Sequence, residues 1–220
     1  MRREQIKLQV ALITPLIHIK GYAAYETTVA TERARQLIEQ STAVGEAPED
    51  PLLLFAVLYG AWVASHVAFD GETMRNLAIQ FQSFAEKQKA VVPIMIGHRI
   101  LGNSLMCTGE IVAGKGHYDE AIALYDPVEH RPLAARFGQD VGVAIRSYRS
   151  LALWMLGHPD AALADVSKAI GDARQISQAA TLMYVLNVTS LSLIERGNYE
   201  MAEKHAREGL AMADEKRLVH

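Results

Sequence analysis

Leu101-Gly102-Asn103-Ser104-Leu105-Met106-Cys107-Thr108-Gly109-Glu110, followed by Ala121-Ile122-Ala123-Leu124-Tyr125-Asp126-Pro127, is the stretch that decides the fold. Leu101 and Leu105 stand four apart, a spacing that lies on one face of a helix. Gly102 follows Leu101 in the same run. Gly109 ends the apolar run on a residue that takes the left-handed conformation without a Cβ penalty. Glu110 then lies where a new helix starts, and negative charge there suits the helix dipole. Ala121 falls in the second run, and Asp126-Pro127 follows it, where proline cannot continue a helix.

The pattern recurs along the chain. Gly71, Gly109, Gly157 and Gly197 each separate two apolar-periodic runs, at spacings of 38, 48 and 40 residues. Fixed periods of this size are the signature of stacked supersecondary repeats. The long spacing contains an insertion, Asp126 to Asp140. Ala162, Val166 and Ala169 recur at i, i+4 and i+7 after Gly157, and Ala202, Ala206 and Gly209 do so after Gly197. An alternative turn at Gly116-His117-Tyr118 is open; Gly109 keeps the first helix at ordinary length.

The Leu-Gly pair, the turn glycine, the helical alanine and the closing Asp-Pro resemble the tetratricopeptide repeat. Gly114 departs from that pattern, which prefers alanine there. His98 and Arg146 stand where a large apolar residue is usual. The expectation is an all-α, tetratricopeptide-like right-handed superhelix, an α-solenoid of about five antiparallel helix pairs in a single array spanning 1–220. The pairs are expected at about 4–40, 51–87, 93–125, 141–176 and 178–216, with the longest linkers at Ser41–Asp50 and Asp126–Asp140.

Composition narrows the function. Half of the 220 residues are hydrophobic and 21% are charged, which suits a packed core and excludes wholesale disorder. A formal net charge of −3 gives no global attraction to nucleic acid or to anionic membrane. The single cysteine, Cys107, excludes an internal disulfide framework. No secretion signal is read at the N-terminus, and Leu52–Phe69 reads as a buried helix because Gly60, Ser65 and His66 interrupt it; a cytoplasmic location is expected.

No catalytic, cofactor or metal site emerges. Gly109-Glu110-Ile111-Val112-Ala113-Gly114-Lys115-Gly116 has phosphate-loop spacing, yet glycine stands where Ser or Thr would hold magnesium, and a helix precedes it. No two of the eight histidines have metal-ligand spacing with an intervening carboxylate. His66 and His98 read as packed or partly buried, and Cys107 as an inert packing thiol. The chain is therefore expected not to be an enzyme.

A second resemblance covers nearly the whole chain. Leu8-Gln9-Val10-Ala11-Leu12, Lys20-Gly21-Tyr22-Ala23-Ala24 and Arg33-Ala34-Arg35-Gln36-Leu37 resemble the helical region of bacterial adenylate/guanylate cyclase-like proteins. So do Ala123-Leu124-Tyr125-Asp126-Pro127-Val128-Glu129-His130-Arg131-Pro132-Leu133 through Asp140, and Leu153-Trp154-Met155-Leu156-Gly157-His158-Pro159-Asp160. In such proteins a cyclase homology domain and a P-loop ATPase domain precede the helices. The resemblance implies a non-catalytic regulatory scaffold, a fragment or relative of such a protein, that binds a protein or peptide partner or other domains of its parent. It implies neither nucleic acid nor membrane as a partner. A sensor of peptides or small metabolites is the alternative.

Two sets of residues are candidates for partner binding. By the tetratricopeptide resemblance Arg99, Asn103, Ser147, Tyr184 and Asn187 would face the concave groove, where Asn and Arg hold peptide backbone or carboxylate. They also read as solvated helix positions. Arg131 and Arg136 in the insertion, with Arg146 and Arg149 at i, i+3 on the next helix, suit an acidic partner. They also read as an exposed face with Asp140 and Glu129 as local counter-ions. Open array ends and the apolar residues Val91–Ile96 are a possible route to a homodimer.

Overall fold

A computed structural model of the chain describes residues 2–20, 24–43 and 52–217, and every long element in it is a helix. These are α1 (Arg2–Lys20), α2 (Tyr25–Ala43), α3 (Leu52–Val67), α4 (Gly71–Gln88), α5 (Val91–Cys107) and α6 (Ile111–Ala123). Two single turns, α7 (Pro127–His130) and α8 (Ala134–Phe137), flank a 3-10 turn at Arg131–Leu133. The last four are α9 (Val141–Met155), α10 (Pro159–Ile176), α11 (Ala179–Glu195) and α12 (Tyr199–Arg217). Among the described residues no helix is long and apolar enough to cross a membrane. From residue 44 the expected Ser41–Asp50 linker lies outside the described residues, as do Gly21, Tyr22 and Ala23.

One turn geometry is used four times. Gly109, Gly157 and Gly197 have positive φ (92°, 81° and 72°), and each donates its N–H to the carbonyl three residues back. The residue after each donates to the carbonyl five back: Glu110 to Leu105 (2.8 Å), His158 to Leu153 (2.9 Å) and Asn198 to Leu193 (2.9 Å). This pair of bonds satisfies carbonyls that the helix end would otherwise leave open. The fourth turn corrects the sequence reading. Its left-handed residue is Phe69 (φ 58°), not Gly71, and Asp70 donates to Ser65 (3.0 Å). Gly71 is already the first residue of α4, which Asp70 caps by accepting from the Thr73 N–H (3.1 Å). Counted from Phe69, the spacings become 40, 48 and 40.

Phe69 is 95% exposed, so its side chain contributes little packing to offset the left-handed conformation. That conformation costs a non-glycine residue about 1 kcal/mol or more. Phe69→Gly is expected to raise the melting temperature by roughly 2 °C, after allowance for the greater freedom of glycine in the unfolded chain. A melting curve that stays put or moves down would refute the assignment of strain to this turn.

The chain divides into two compact units, residues 1–93 and 94–220. In the first, Ile6 and Ile13 of α1, Ala30, Ala34, Leu37 and Ile38 of α2 and Val57 of α3 form one core cluster. Alanines at i and i+4 on α2 let α1 lie close, and the Gln9 amide donates to the Ala30 carbonyl (3.1 Å). Phe55 and Phe81 join α3 to α4 with ring centroids 4.8 Å apart. Trp62 is buried in α3 with the His66 ring stacked on it at 5.2 Å, so His66 is a packed residue.

In the second unit, α5 from Ile94 pairs with α6, α9 with α10, and α11 with α12. Val143, Ala169, Ala173 and Val185 form a core cluster. Ala162, Val166 and Ala169 are buried, as their spacing predicts. In α12 only Ala202 of the expected stripe is fully buried; Ala206 is exposed, and His205 takes the inward position. The apolar stretch at the start of α5 is mostly covered: Met95 and Ile96 are buried and only Val91 is exposed. That weakens it as a surface for self-association.

The period-breaking segment is folded. Asp126 caps α7 by accepting from the Val128 N–H (2.7 Å), and its own N–H donates to His130 Nδ1 (2.9 Å). Gly138 ends the segment with φ 80°, and Asp140 caps α9 by accepting from the Val143 N–H (2.9 Å). Ala134, Phe137 and His130 are buried against the rest of the unit.

Candidate partner-binding site

The first helices of the three pairs in residues 94–220 are α5, α9 and α11. They carry most of the residues that the sequence nominates, and the structure joins several of them in one polar and aromatic cluster. An Arg99 N–H donates to the Tyr184 hydroxyl (3.4 Å). With its amide oriented to satisfy both neighbours, Gln139 accepts from Arg99 (2.8 Å) and donates to the Phe137 carbonyl (2.7 Å). The Tyr148 and Tyr184 rings pack tilted, 6.4 Å apart. Tyr118 of α6 donates its hydroxyl hydrogen to Asn103 Oδ1 (2.7 Å). The cluster thus spans four helices and the inserted segment.

Burial distinguishes its members. Arg99 and Asn103 are 2% and 1% exposed, and Ser147 is buried with its hydroxyl donating to the Val143 carbonyl (2.8 Å). Their expected place on an open groove wall is corrected: they are held within the helix packing, where buried polar groups need partners. Tyr184 is half-buried and Asn187 exposed, so these two can meet an incoming chain. Asn103 Nδ2 has no hydrogen-bond partner among the described residues. Burial is the leading cause that raises the pKa values of Tyr118 and Tyr148, and neighbouring phenols add to it. These phenols stay protonated and act as hydrogen-bond donors. Of these groups, the Asn187 amide and the half-buried Tyr184 hydroxyl are the ones an incoming carbonyl or carboxylate can reach.

The basic residues do not form one patch. Arg149 lies between helices: its Nε and Nη2 grip the Asp165 carboxylate at 2.7 and 2.8 Å, and Nη1 reaches Asp119 at 3.0 Å. Asp119 in turn holds Lys115. The counter-ions are therefore carboxylates from α6 and α10, not Asp140 and Glu129. Asp140 instead accepts from the Tyr125 hydroxyl (2.8 Å) while its N–H donates to Thr181 (2.9 Å). Arg131 is half-buried near Tyr125. Burial first and the Asp140 charge second raise the Tyr125 pKa, and Arg131 opposes them. Arg146 is half-buried and has no ion pair among the described residues. The Arg136 side chain lies outside the described residues.

Gly109 is a helix-ending turn, and Gly114 and Gly116 lie inside α6, preceded by helix and not strand. Cys107 is exposed at the end of α5, a correction to its reading as an interior packing residue; desolvation raises its pKa. Among the described residues no group of three or more His, Cys, Asp or Glu converges as a metal site.

No protein-family model matches the chain, and no curated protein matches it in sequence. Solved structures do match. One is a variant of the nearly identical TPR-like repeats of a kinesin light chain-like protein of Podosopora anserina, with a TM-score of 0.61 at 12% identity. That match covers 99% of this chain and 98% of the other. The fold is a tetratricopeptide-like solenoid. BtubC (BKLC) from P. vanneervenii matches with a TM-score of 0.61 at 10% identity, over 98% of this chain and 91% of that one. A second structure of the Podosopora anserina repeats matches at 0.55 and 11% identity, over 97% of each chain. At these identities the likeness carries the fold alone. The TPR-like helix pairs account for the turn glycines and for the small residues between paired helices.

Proposed function

We propose that the chain is a non-catalytic protein-interaction module whose 220 residues form one TPR-like array, and that α5, α9 and α11 receive an extended acidic segment of a partner. The single observation that carries the proposal is the cluster of Arg99, Tyr148 and Tyr184, with Asn187 exposed beside it on α11. TPR-like folds are commonly interaction scaffolds; Asn187 can donate to peptide carbonyls and carboxylates, and buried Arg99 holds the Tyr184 hydroxyl beside it. Half-buried aromatic rings next to such donors supply contact area at low entropic cost.

The resemblance of 123–140 to the helical region of cyclase-like proteins extends the proposal: the partner is another domain of a signalling protein. A native gene lacking any cyclase or ATPase homology domain, fused or adjacent, would remove that extension and leave the scaffold reading intact.

The test is selection of peptides from a random display library against the purified chain, followed by titration. Asn187→Ala and Tyr184→Phe are expected to weaken the selected acidic peptides about tenfold, or about 1.4 kcal/mol, while the melting temperature holds. Lys168→Ala, at an exposed position of α10, is the control. Unchanged affinity in both variants would refute the site, and a failure to select any peptide would refute the interaction reading.

A further inference from the structure

His117, Asp165 and His205 occupy the same place in three successive repeats, eight residues after the left-handed glycine of their own turn. In the first two repeats a side chain from the paired first helix satisfies that position. His98 of α5 places its Nδ1 2.9 Å from the His117 Nδ1, and Arg149 of α9 grips Asp165. In the third repeat α11 presents Leu186 and Thr189 where α5 carries His98 and α9 carries Arg149. Thr189 spends its hydroxyl on the Val185 carbonyl of its own helix (2.6 Å). His205 is left 6% exposed, and its Nδ1 has no hydrogen-bond partner among the described residues. A buried polar atom without a partner costs roughly 1–3 kcal/mol and calls for an explanation.

His205 lines a cavity of about 360 Å³ between α10 and α12, within the size range of small-molecule sites. Leu163, Ile170, Leu193 and Met201 give it apolar walls. Two cations line it as well. Lys204 has no ion pair among the described residues, and Arg174 is held only loosely, 3.4 Å from Glu208. Burial lowers the His205 pKa; Glu208 opposes this, while Arg174 and Lys204 add to it. Burial thus favours the neutral ring.

We propose that this cavity binds a small amphipathic carboxylate, its apolar body among the Leu, Ile and Met side chains and its carboxylate among Lys204, Arg174 and His205. The site is separate from the α5–α9–α11 cluster, and the proposal stands or falls without it.

Octanoate is the probe, with 1-octanol and octylammonium as neutral and cationic counterparts, titrated into the full chain by calorimetry and by thermal shift. The expected result is saturable one-to-one binding of octanoate, with octanol and octylammonium at least about tenfold weaker. Lys204→Glu should cost octanoate a similar factor. Ser167→Trp, a substitution of an exposed residue that lines the cavity, should abolish binding by filling it. Both positions are exposed, so melting curves of the free variants will confirm folding. Asn187→Ala should leave octanoate binding unchanged. Octanol binding as tightly as octanoate, octanoate affinity indifferent to both variants, or no saturable binding to the wild-type chain would each overturn the proposal.

Discussion

Gly114→Ala is expected to destabilise the chain by about 2 kcal/mol, although helix propensity alone assigns it a gain of about 1 kcal/mol. The two effects have opposite signs, so the experiment decides between them. Gly114 lies within α6 and is buried against α5. A Cβ built there would sit 2.8 Å from the Gly102 carbonyl oxygen and 3.1 Å from the Met106 nitrogen. Both are backbone atoms of a packed helix and cannot turn aside as a side chain would. The approach is mutual, since a Cβ on Gly102 would meet Tyr118 Cε1 at 2.9 Å and the Gly114 oxygen at 3.0 Å. Accommodating the methyl means separating α5 from α6, which disturbs the Tyr118–Asn103 hydrogen bond and the burial of both residues. Gly116→Ala is the internal control: it lies in the same helix, exposed, with nothing within 4 Å of the added carbon. It should be stabilising by about 0.5–1 kcal/mol. Thermal melts of the two single variants should therefore move in opposite directions, Gly114→Ala down by roughly 4–8 °C and Gly116→Ala up by a degree or two. Equal upward shifts would show that α5 and α6 are not in backbone contact.

Gly114 illustrates what a sequence discloses and what it withholds. Its departure from the tetratricopeptide preference for alanine is readable from the residues. The reason is not, because it depends on Gly102 facing it from a helix twelve residues away. The turns within helix pairs are more legible, since a positive φ restricts residue type locally, and in three of those four turns the left-handed residue is glycine as expected. The exception, Phe69, escapes because the neighbouring Gly71 is a more plausible breaker; only the hydrogen bond from Asp70 to Ser65 identifies the register. Helix periodicity likewise marks Ala162, Val166 and Ala169 as inward, but His205 displaces the expected Ala206 by one position.

The candidate site is less legible than the fold. Arg99, Asn103 and Ser147 are polar residues on helices, and their composition points outward to a groove. Their burial follows from partners that no local pattern reveals: Tyr184 lies 85 residues from Arg99, and Tyr118 lies 15 from Asn103. His205 could have been found earlier. Aligning the repeats on their left-handed residues puts it in register with His117 and Asp165, and shows that α11 offers neither a His98 nor an Arg149 to meet it.

Arg149→Met is expected to destabilise the chain by about 3 kcal/mol, because removing one partner strands a buried charge. Asp165 is buried, and Arg149 supplies both of the short bonds to its carboxylate. Asp119 loses a contact as well but keeps Lys115, so the cost is concentrated on Asp165. Arg149→Lys should recover only part of the loss, since an ammonium group cannot reproduce the two-pronged grip or reach both carboxylates at once. The double variant Arg149→Met with Asp165→Leu should recover most of it, because an ion pair replaced whole by apolar groups is often nearly neutral. Chemical denaturation of the four proteins checks the pattern, and a double variant no more stable than Arg149→Met alone would refute it. The same comparison separates structure from recognition. If Arg149 merely staples α6, α9 and α10, the refolded double variant will still bind the acidic peptides selected by the wild-type chain. A double variant with restored stability and no peptide binding would instead place Arg149 in contact with the partner.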